Sequence, residues 1–195
     1  MIFRPTELPG VVRIACEPHE DARGLFARLY CPDEFAAAGI AFAPTQVNLS
    51  TNADRFTLRG MHFQKPPHAE AKLVRAVRGR AWDVALDLRT GPTRGKWIAE
   101  ELDAERLNAL FLPKGVAHGF LTLETDTHIL YQMGEMHEPG RTDGVRWDDP
   151  AFAIDWPAAP RAISDRDRAW PTFATRDDLR AGDPIEDDLR EGEES

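Results

Sequence analysis

The chain is poor in cysteine, with only Cys16 and Cys31 in 195 residues. Two thiols without metal-like spacing make neither a disulfide framework nor a zinc site, and a reduced, cytoplasmic protein is expected. No apolar stretch approaches the ~18–20 residues that cross a bilayer. Met1 to Gly10 also lacks the basic-then-apolar order of a signal peptide, so no membrane association is expected. Basic charge is scarce: 24 Lys and Arg stand against 33 Asp and Glu. They form no basic stripe, which argues against nucleic acid as a partner. Helical patterning is nearly absent, with short candidates only at residues 33–38 and 104–108. There is no Gly-rich phosphate loop and no strand–helix alternation, so the α/β nucleotide-binding folds are excluded.

What remains is a chain of short β-prone runs. Residues 11–15, 25–31, 46–50, 72–77, 80–89, 96–102, 109–112, 119–123 and 127–133 are rich in β-branched and apolar residues and are bounded by Gly, Pro or Asp. The run Trp82-Asp83-Val84-Ala85-Leu86-Asp87-Leu88 alternates imperfectly, as a central strand buried on both faces would. Many short strands with frequent turn signals indicate an all-β sandwich, jelly roll or barrel. After Met133 the prolines at 139, 150, 157, 160 and 171 rule out long regular elements. That half is expected to wrap irregularly over the β core. The last 22 residues carry nine acids against three arginines, which is most of the net charge of −9. Residues 174–195 therefore read as an acidic, flexible tail, with one helical turn near 177–180, behind a single domain of residues 1–173.

Chemistry concentrates in Thr57-Leu58-Arg59-Gly60-Met61-His62-Phe63-Gln64, with Lys72 eight residues on. A guanidinium, an imidazole and an ammonium from so short a stretch point to acid/base work on a phosphorylated substrate. In a regular strand Arg59 and His62 face opposite ways, and only a bulge or bend would bring them together. A lysine directed into a β core is costly unless it meets an anion; on the outside it would be an ordinary surface charge. His118, flanked by Gly115 and Gly119, is a second imidazole able to line a pocket. Tyr131 lies in an apolar run, as a core residue or as an interior proton donor. A metal site is disfavoured, because Gln64 takes the place where a His-x-His pair would carry its second ligand.

Taken in order, Asp21-Ala22-Arg23-Gly24-Leu25-Phe26, Gln46-Val47-Asn48-Leu49-Ser50, the 58–64 run, Lys72-Leu73-Val74, Pro113-Lys114-Gly115 with Ala117-His118-Gly119-Phe120, Tyr131, Gly144-Val145-Arg146-Trp147-Asp148-Asp149-Pro150 and Ser164-Asp165-Arg166-Asp167 resemble the dTDP-4-dehydrorhamnose 3,5-epimerase family of cupin-fold enzymes. The resemblance covers residues 1–173. It implies a cupin-type jelly roll or β-barrel with few short helices. The implied reaction removes protons α to the ketone of a nucleoside-diphosphate 4-keto-6-deoxyhexose. His62 would be the base, Asp167 its orienting partner, Lys72 the stabiliser of the enolate and Tyr131 the acid on the opposite face of the sugar. Arg23, Gln46, Asn48, Arg59 and His118 match positions that hold nucleotide or sugar. The ketone is its own electron sink, so no cofactor and no metal are implied. The resemblance also implies a homodimer in which N-terminal strands join the partner's sheet.

The chain departs from the family pattern in places. Arg28 stands where a Glu is usual, Phe63 replaces a Tyr, Met136 and His137 occupy an aromatic pair, Thr142 replaces an acid, and Arg166 replaces a Lys. These changes leave the four proton-transfer residues intact and touch the rim, so Arg28, Thr142 and Arg166 join the expected substrate-binding set. The best single reaction is dTDP-4-dehydro-6-deoxy-D-glucose to dTDP-4-dehydro-L-rhamnose. A 3-epimerase or ketoisomerase on a related sugar nucleotide, and a non-catalytic sugar-nucleotide-binding cupin, are the alternatives.

Overall fold

Twelve of the strands fall into two sheets whose inner faces share one apolar core. The computed structural model describes residues 1–180. The first sheet runs, in spatial order, β1 (Ile2–Pro5), β2 (Val12–Ala15), β10 (Ala109–Leu112), β7 (Lys72–Arg78), β12 (Thr127–Met133) and β5 (Gln46–Asn52). The second runs β13 (Thr142–Gly144), β6 (Thr57–Gln64), β11 (Val116–Thr122), β8 (Arg80–Asp87) and β9 (Trp97–Asp103), with β14 (Ala162–Ile163) parallel to β6. A separate hairpin joins β3 (His19–Asp21) to β4 (Gly24–Phe26). The expectation of a mostly β chain with few short helices holds.

Alternation along each strand explains the layers. Val74 and Ala76 of β7 and Ile129 of β12 meet Ala81 and Ala85 of β8 and Phe120 of β11 between the sheets. The intervening residues build two further layers outside. Val84 and Leu86 of β8 pack under Phe152, Ile154 and Trp156 of the irregular C-terminal half. Leu73 of β7 and Phe111 of β10 pack with Phe35 of α1 (Pro32–Ala37) and with Phe42. β8 is thus buried on both faces, as its broken alternation implied. The helix α1 forms where Pro32 opens its first turn and Asp33 and Glu34 complement its N-terminal dipole.

Three expectations change. Residues 104–108 form a turn and not a helix. The strand expected over 25–31 stops at Phe26, because Leu29 and Tyr30 leave the hairpin to cover the first sheet: the Leu29 carbonyl accepts from Arg75, and the Tyr30 hydroxyl donates to the Phe42 carbonyl. Within residues 174–180, assigned to the acidic tail, Arg176 and Leu179 are buried against the body, while residues 181–195 lie outside the described residues. Leu179 of the one-turn helix α3 (Asp177–Arg180) is 1% exposed in the outer core of the second sheet. Arg176 grips Asp143 at 2.6 Å and 3.2 Å and donates to the Gly144 carbonyl at 3.0 Å, so the C-terminal segment is clamped to β13. Among the described residues, no helix is long and apolar enough to cross a membrane.

The clamp yields a stability test. Burial alone would raise the Asp143 carboxyl, but Lys65 and Arg176 outweigh it and hold the group below its ordinary 3.8. A depressed carboxylate adds stability that is complete above that ordinary value and lost as pH falls through the folded-state value. Arg176→Ala is expected to cost about 2 kcal/mol at pH 7, because it strips a charged partner from a buried carboxylate that keeps only Lys65 and the Gly144 N–H. Denaturant titrations should show the gap between wild type and variant narrowing below about pH 4. A gap that stays constant down to pH 2.5 would contradict the clamp.

Candidate active site

Strand register decides which side chains face the space between the sheets. On the first sheet Lys72 pairs with Met133 and Met133 with Gln46, while Tyr131 pairs with Asn48. Residues two apart on a strand share a face, so Gln46, Asn48, Lys72, Tyr131 and Met133 form one wall. On the second sheet His62 pairs with His118 and with Gly144, and Gln64 pairs with Thr142. These give the facing wall. The two walls enclose a cavity of about 250 Å3, which Arg59, Glu70 and His137 also line.

Arg59 reaches the same cavity as His62 because β6 is bulged between them. Phe120 pairs with Arg59 and His118 with His62, so three steps along β6 match two along β11. The extra residue restores parity and turns Arg59 to the His62 side. The bulge needs Gly60 and Gly119 back to back. Gly60 has φ +131°, and a Cβ there would lie 2.5 Å from Gly119 Cα; a Cβ on Gly119 would lie 2.6 Å from the Met61 sulfur. Arg59 Nε donates to Asn52 Oδ1 at 2.8 Å, which aims the guanidinium along the cavity wall.

His62 Nε2 lies 2.6 Å from Asp167 Oδ1. Asp167 comes from α2 (Asp165–Arg168), whose first turn is capped by Ser164 accepting from the Asp167 N–H at 3.0 Å. The Gly60 N–H donates to the other carboxylate oxygen at 3.3 Å. Burial alone would raise the Asp167 carboxyl, but the His62 hydrogen bond and the nearby imidazole prevail and hold it below the ordinary carboxylate value. An ionised carboxylate at Nε2 favours the tautomer protonated there, which leaves Nδ1 able to accept a proton. The edge of Trp170 stands 6.4 Å from the imidazole, centroid to centroid.

On the opposite wall, Lys72 is 4% exposed and its ammonium contacts Glu70 Oε1 at 3.0 Å and the His62 carbonyl at 3.1 Å. Tyr131 packs edge-on to His118 at 5.7 Å. Burial, then the neighbouring Asp83 charge, push its phenol far above the usual range, with Arg59 opposing. The hydroxyl therefore keeps its proton at neutral pH. His118 Nε2 is 2.7 Å from Asp83 Oδ1. Asp83 is fully buried, and desolvation raises its carboxyl against the pull of His118.

Thus the cavity gathers His62, Lys72, Tyr131, Gln46, Asn48, Arg59, His118 and Thr142, with Asp167 directly behind His62. Arg166 sits on α2 at the rim, donating to the Thr142 carbonyl at 3.3 Å and lying 5.1 Å from the Trp170 ring. Two expected residues are elsewhere in this chain. Arg23 is bound to Asp21 in the exposed β3–β4 hairpin, and Arg28 pairs with Glu34 at 2.7 Å. Neither lines the cavity. Gln64 is committed to holding loops, donating to Glu70, the His68 carbonyl and the Met136 carbonyl and accepting from the Glu138 N–H. Among the described residues, no group of three or more His, Cys, Asp or Glu side chains converges as a metal site would. The residues missed from sequence were Glu70, Asp83 and Trp170. Glu70 was detectable as the residue two before Lys72, and Asp83 as a charge inside an apolar run.

The model of the dTDP-4-dehydrorhamnose 3,5-epimerase family matches residues 5–175. The chain belongs to that family. It is a sugar-nucleotide epimerase. A dTDP-4-dehydrorhamnose 3,5-epimerase of Sinorhizobium fredii is 38% identical over 175 residues, covering 89% of this chain and 90% of the relative. A dTDP-4-dehydrorhamnose 3-epimerase of Streptomyces niveus is also 38% identical, over 86% of this chain and 82% of the relative. Among solved structures, NovW, a 4-keto-6-deoxy sugar epimerase of Streptomyces spheroides, superposes with a TM-score of 0.87 at 37% identity, covering 92% of this chain and 91% of its own. The fold of the epimerase is therefore that of its cupin-like relatives. Its clamp residues Arg176 and Leu179 lie beyond the span that the family model matches.

The bulge makes a local prediction for the epimerase. Gly60→Ala must adopt a disfavoured φ and displace Gly119, at an expected cost of about 2–4 kcal/mol. Urea titration measures the loss, and activity should fall with it because Arg59 and His62 lose their common face. Wild-type stability in the variant would contradict the back-to-back packing.

Proposed function

We propose that the enzyme epimerises a nucleoside-diphosphate 4-keto-6-deoxyhexose through an enolate, with dTDP-4-dehydro-6-deoxy-D-glucose converted to dTDP-4-dehydro-L-rhamnose as the substrate and product. The observation that carries this reading is the arrangement of base and acid. His62, oriented by Asp167, lies on one sheet, and Tyr131, with its proton firmly held, lies on the other. A sugar ring between them meets a base on one face and an acid on the opposite face. Proton removal by one and return by the other inverts the carbon.

The chemistry then follows from the residues present. Nδ1 of His62 takes the proton from a carbon α to the C4 ketone, and Asp167 stabilises the positive charge that forms on the imidazole. The electron pair moves onto the C4 oxygen, where the Lys72 ammonium offsets the charge. Tyr131 returns a proton from the far side. The ketone holds the electrons throughout, so the account needs no cofactor. Gln46, Asn48, Arg59, His118, Thr142 and Arg166 hold the sugar and the nucleotide, with Arg59 suited to the diphosphate. We read the two sheets as a cupin-type jelly roll spanning residues 1–173 and continued by the clamp. We also read the enzyme as a homodimer. β5 is a sheet edge with Val47 and Leu49 more than half exposed, and the β3–β4 hairpin exposes Leu25 and Phe26. Pairing such surfaces in a second copy would cover the edge and carry Arg23 and Arg28 toward the partner's cavity.

A 3-epimerase on a related sugar nucleotide is the second reading, supported by a relative of that activity at the same 38% identity. One isotope experiment addresses both. The enzyme is incubated in deuterated water with several 4-keto-6-deoxy sugar nucleotides, and NMR records which carbons exchange and which invert. Exchange and inversion at C3 and C5 are expected; inversion at C3 alone establishes the second reading. His62→Ala should abolish deuterium uptake, and Tyr131→Phe should suppress inversion more than exchange. Uptake at the wild-type rate in His62→Ala would refute His62 as the base.

A further inference from the structure

An ammonium has three N–H donors, and in Lys72 two are already placed. One meets Glu70 Oε1 at 3.0 Å and another the His62 carbonyl at 3.1 Å. Among the described residues these are the two hydrogen bonds it makes; the Asp83 carboxylate is near enough to feel its charge without bonding to it, and Lys72 lines the cavity. Two fixed bonds leave the remaining donor of a tetrahedral group one direction. The Glu70 carboxylate is itself tied down, because its other oxygen accepts from Gln64 Nε2 at 2.9 Å. The contacts close a circuit: Gln64 to Glu70, Glu70 to Lys72, Lys72 to the His62 carbonyl, and along β6 back to Gln64. Glu70 is only 9% exposed, so its charge acts on Lys72 with little screening. It also supplies the counter-charge that a buried ammonium requires.

We propose that Glu70 is a positioning residue for the epimerisation: with the His62 carbonyl it aims the third donor of Lys72 at the oxygen that becomes the enolate, and it ties that donor to the strand carrying the base. This deepens the function proposed above and rests on the role given there to Lys72. Glu70 touches no reacting atom. It acts through Lys72, and it matters more as charge builds on the C4 oxygen than when the substrate first binds. Its loss therefore falls on kcat.

Steady-state kinetics of Glu70→Gln, Glu70→Asp and Lys72→Gln in the full chain test the proposal, with thermal melts alongside. Glu70→Gln keeps the size but loses the charge, and its kcat should drop about 10- to 100-fold with KM within about threefold. Glu70→Asp restores the charge on a shorter arm, and its kcat should lie between Glu70→Gln and wild type. If Glu70→Gln does not fold, Glu70→Met is measured in its place with the same expectation. A wild-type kcat in Glu70→Gln, a loss confined to KM, or a Glu70→Asp enzyme as slow as Glu70→Gln would overturn the assignment. Lys72→Gln separates the two levels. If it is impaired while Glu70→Gln is not, only the Glu70 proposal fails. If Lys72→Gln retains wild-type kcat, the enolate role of Lys72 fails, and this proposal with it.

Discussion

The site depends on one contact across 105 residues of sequence, the 2.6 Å approach of Asp167 to His62. His62 belongs to the rigid middle of the second sheet, paired on both sides by β11 and β13. Asp167 belongs to a strap of irregular chain that reaches β6 only after crossing the outer face of that sheet. What makes the contact dependable is the number of places where the strap is held. β14 pairs with β6, Ser164 caps the turn that presents the carboxylate, Trp170 lies against Gly144, and the Phe173 N–H donates to Asp149 at 2.6 Å. Arg176 then locks the following segment to Asp143.

The two sheets divide the remaining work. The second sheet supplies the base and, through the bulge at Gly60, turns Arg59 to the same side. The first sheet supplies Lys72 and Tyr131 by simple alternation. Each wall stores one kind of electrostatic preparation. On the His62 side a carboxylate is kept ionised by the group it serves. On the Tyr131 side burial and the Asp83 charge keep a phenol protonated. Opposed protonation states on facing walls are what a reaction that removes a proton from one side and returns it from the other requires.

Much of this was legible in the sequence, for identifiable reasons. Strands 109–112 and 127–133 are legible to the residue, because an apolar run closed by Pro113 and a β-prone run between Asp126 and Gly134 leave little choice. The resemblance brought Asp167 and Tyr131 to His62, which spacing alone could not do. Regular alternation alone turns Arg59 away from His62, and whether a bulge intervenes depends on Gly60 meeting Gly119 on another strand, a pairing no local pattern encodes. The spacing of Glu70 to Lys72 is visible in the sequence, but the Pro66-Pro67 break before it leaves its direction undefined, so its contact with the Lys72 ammonium is a finding of the structure. The acidic composition of residues 174–195 concealed the clamp, because Arg176 and Leu179 are too few to change the average. Arg23 and Arg28 match motif positions, yet within one chain they pair with Asp21 and Glu34.

The central claim is that Asp167 makes His62 a base. Replacing it by Asn keeps the shape of the side chain while removing the charge. Single-turnover measurement of Asp167→Asn should show a chemical step slowed about 100- to 10,000-fold, with substrate affinity and melting temperature close to those of wild type. A chemical step within about threefold of wild type would contradict the account.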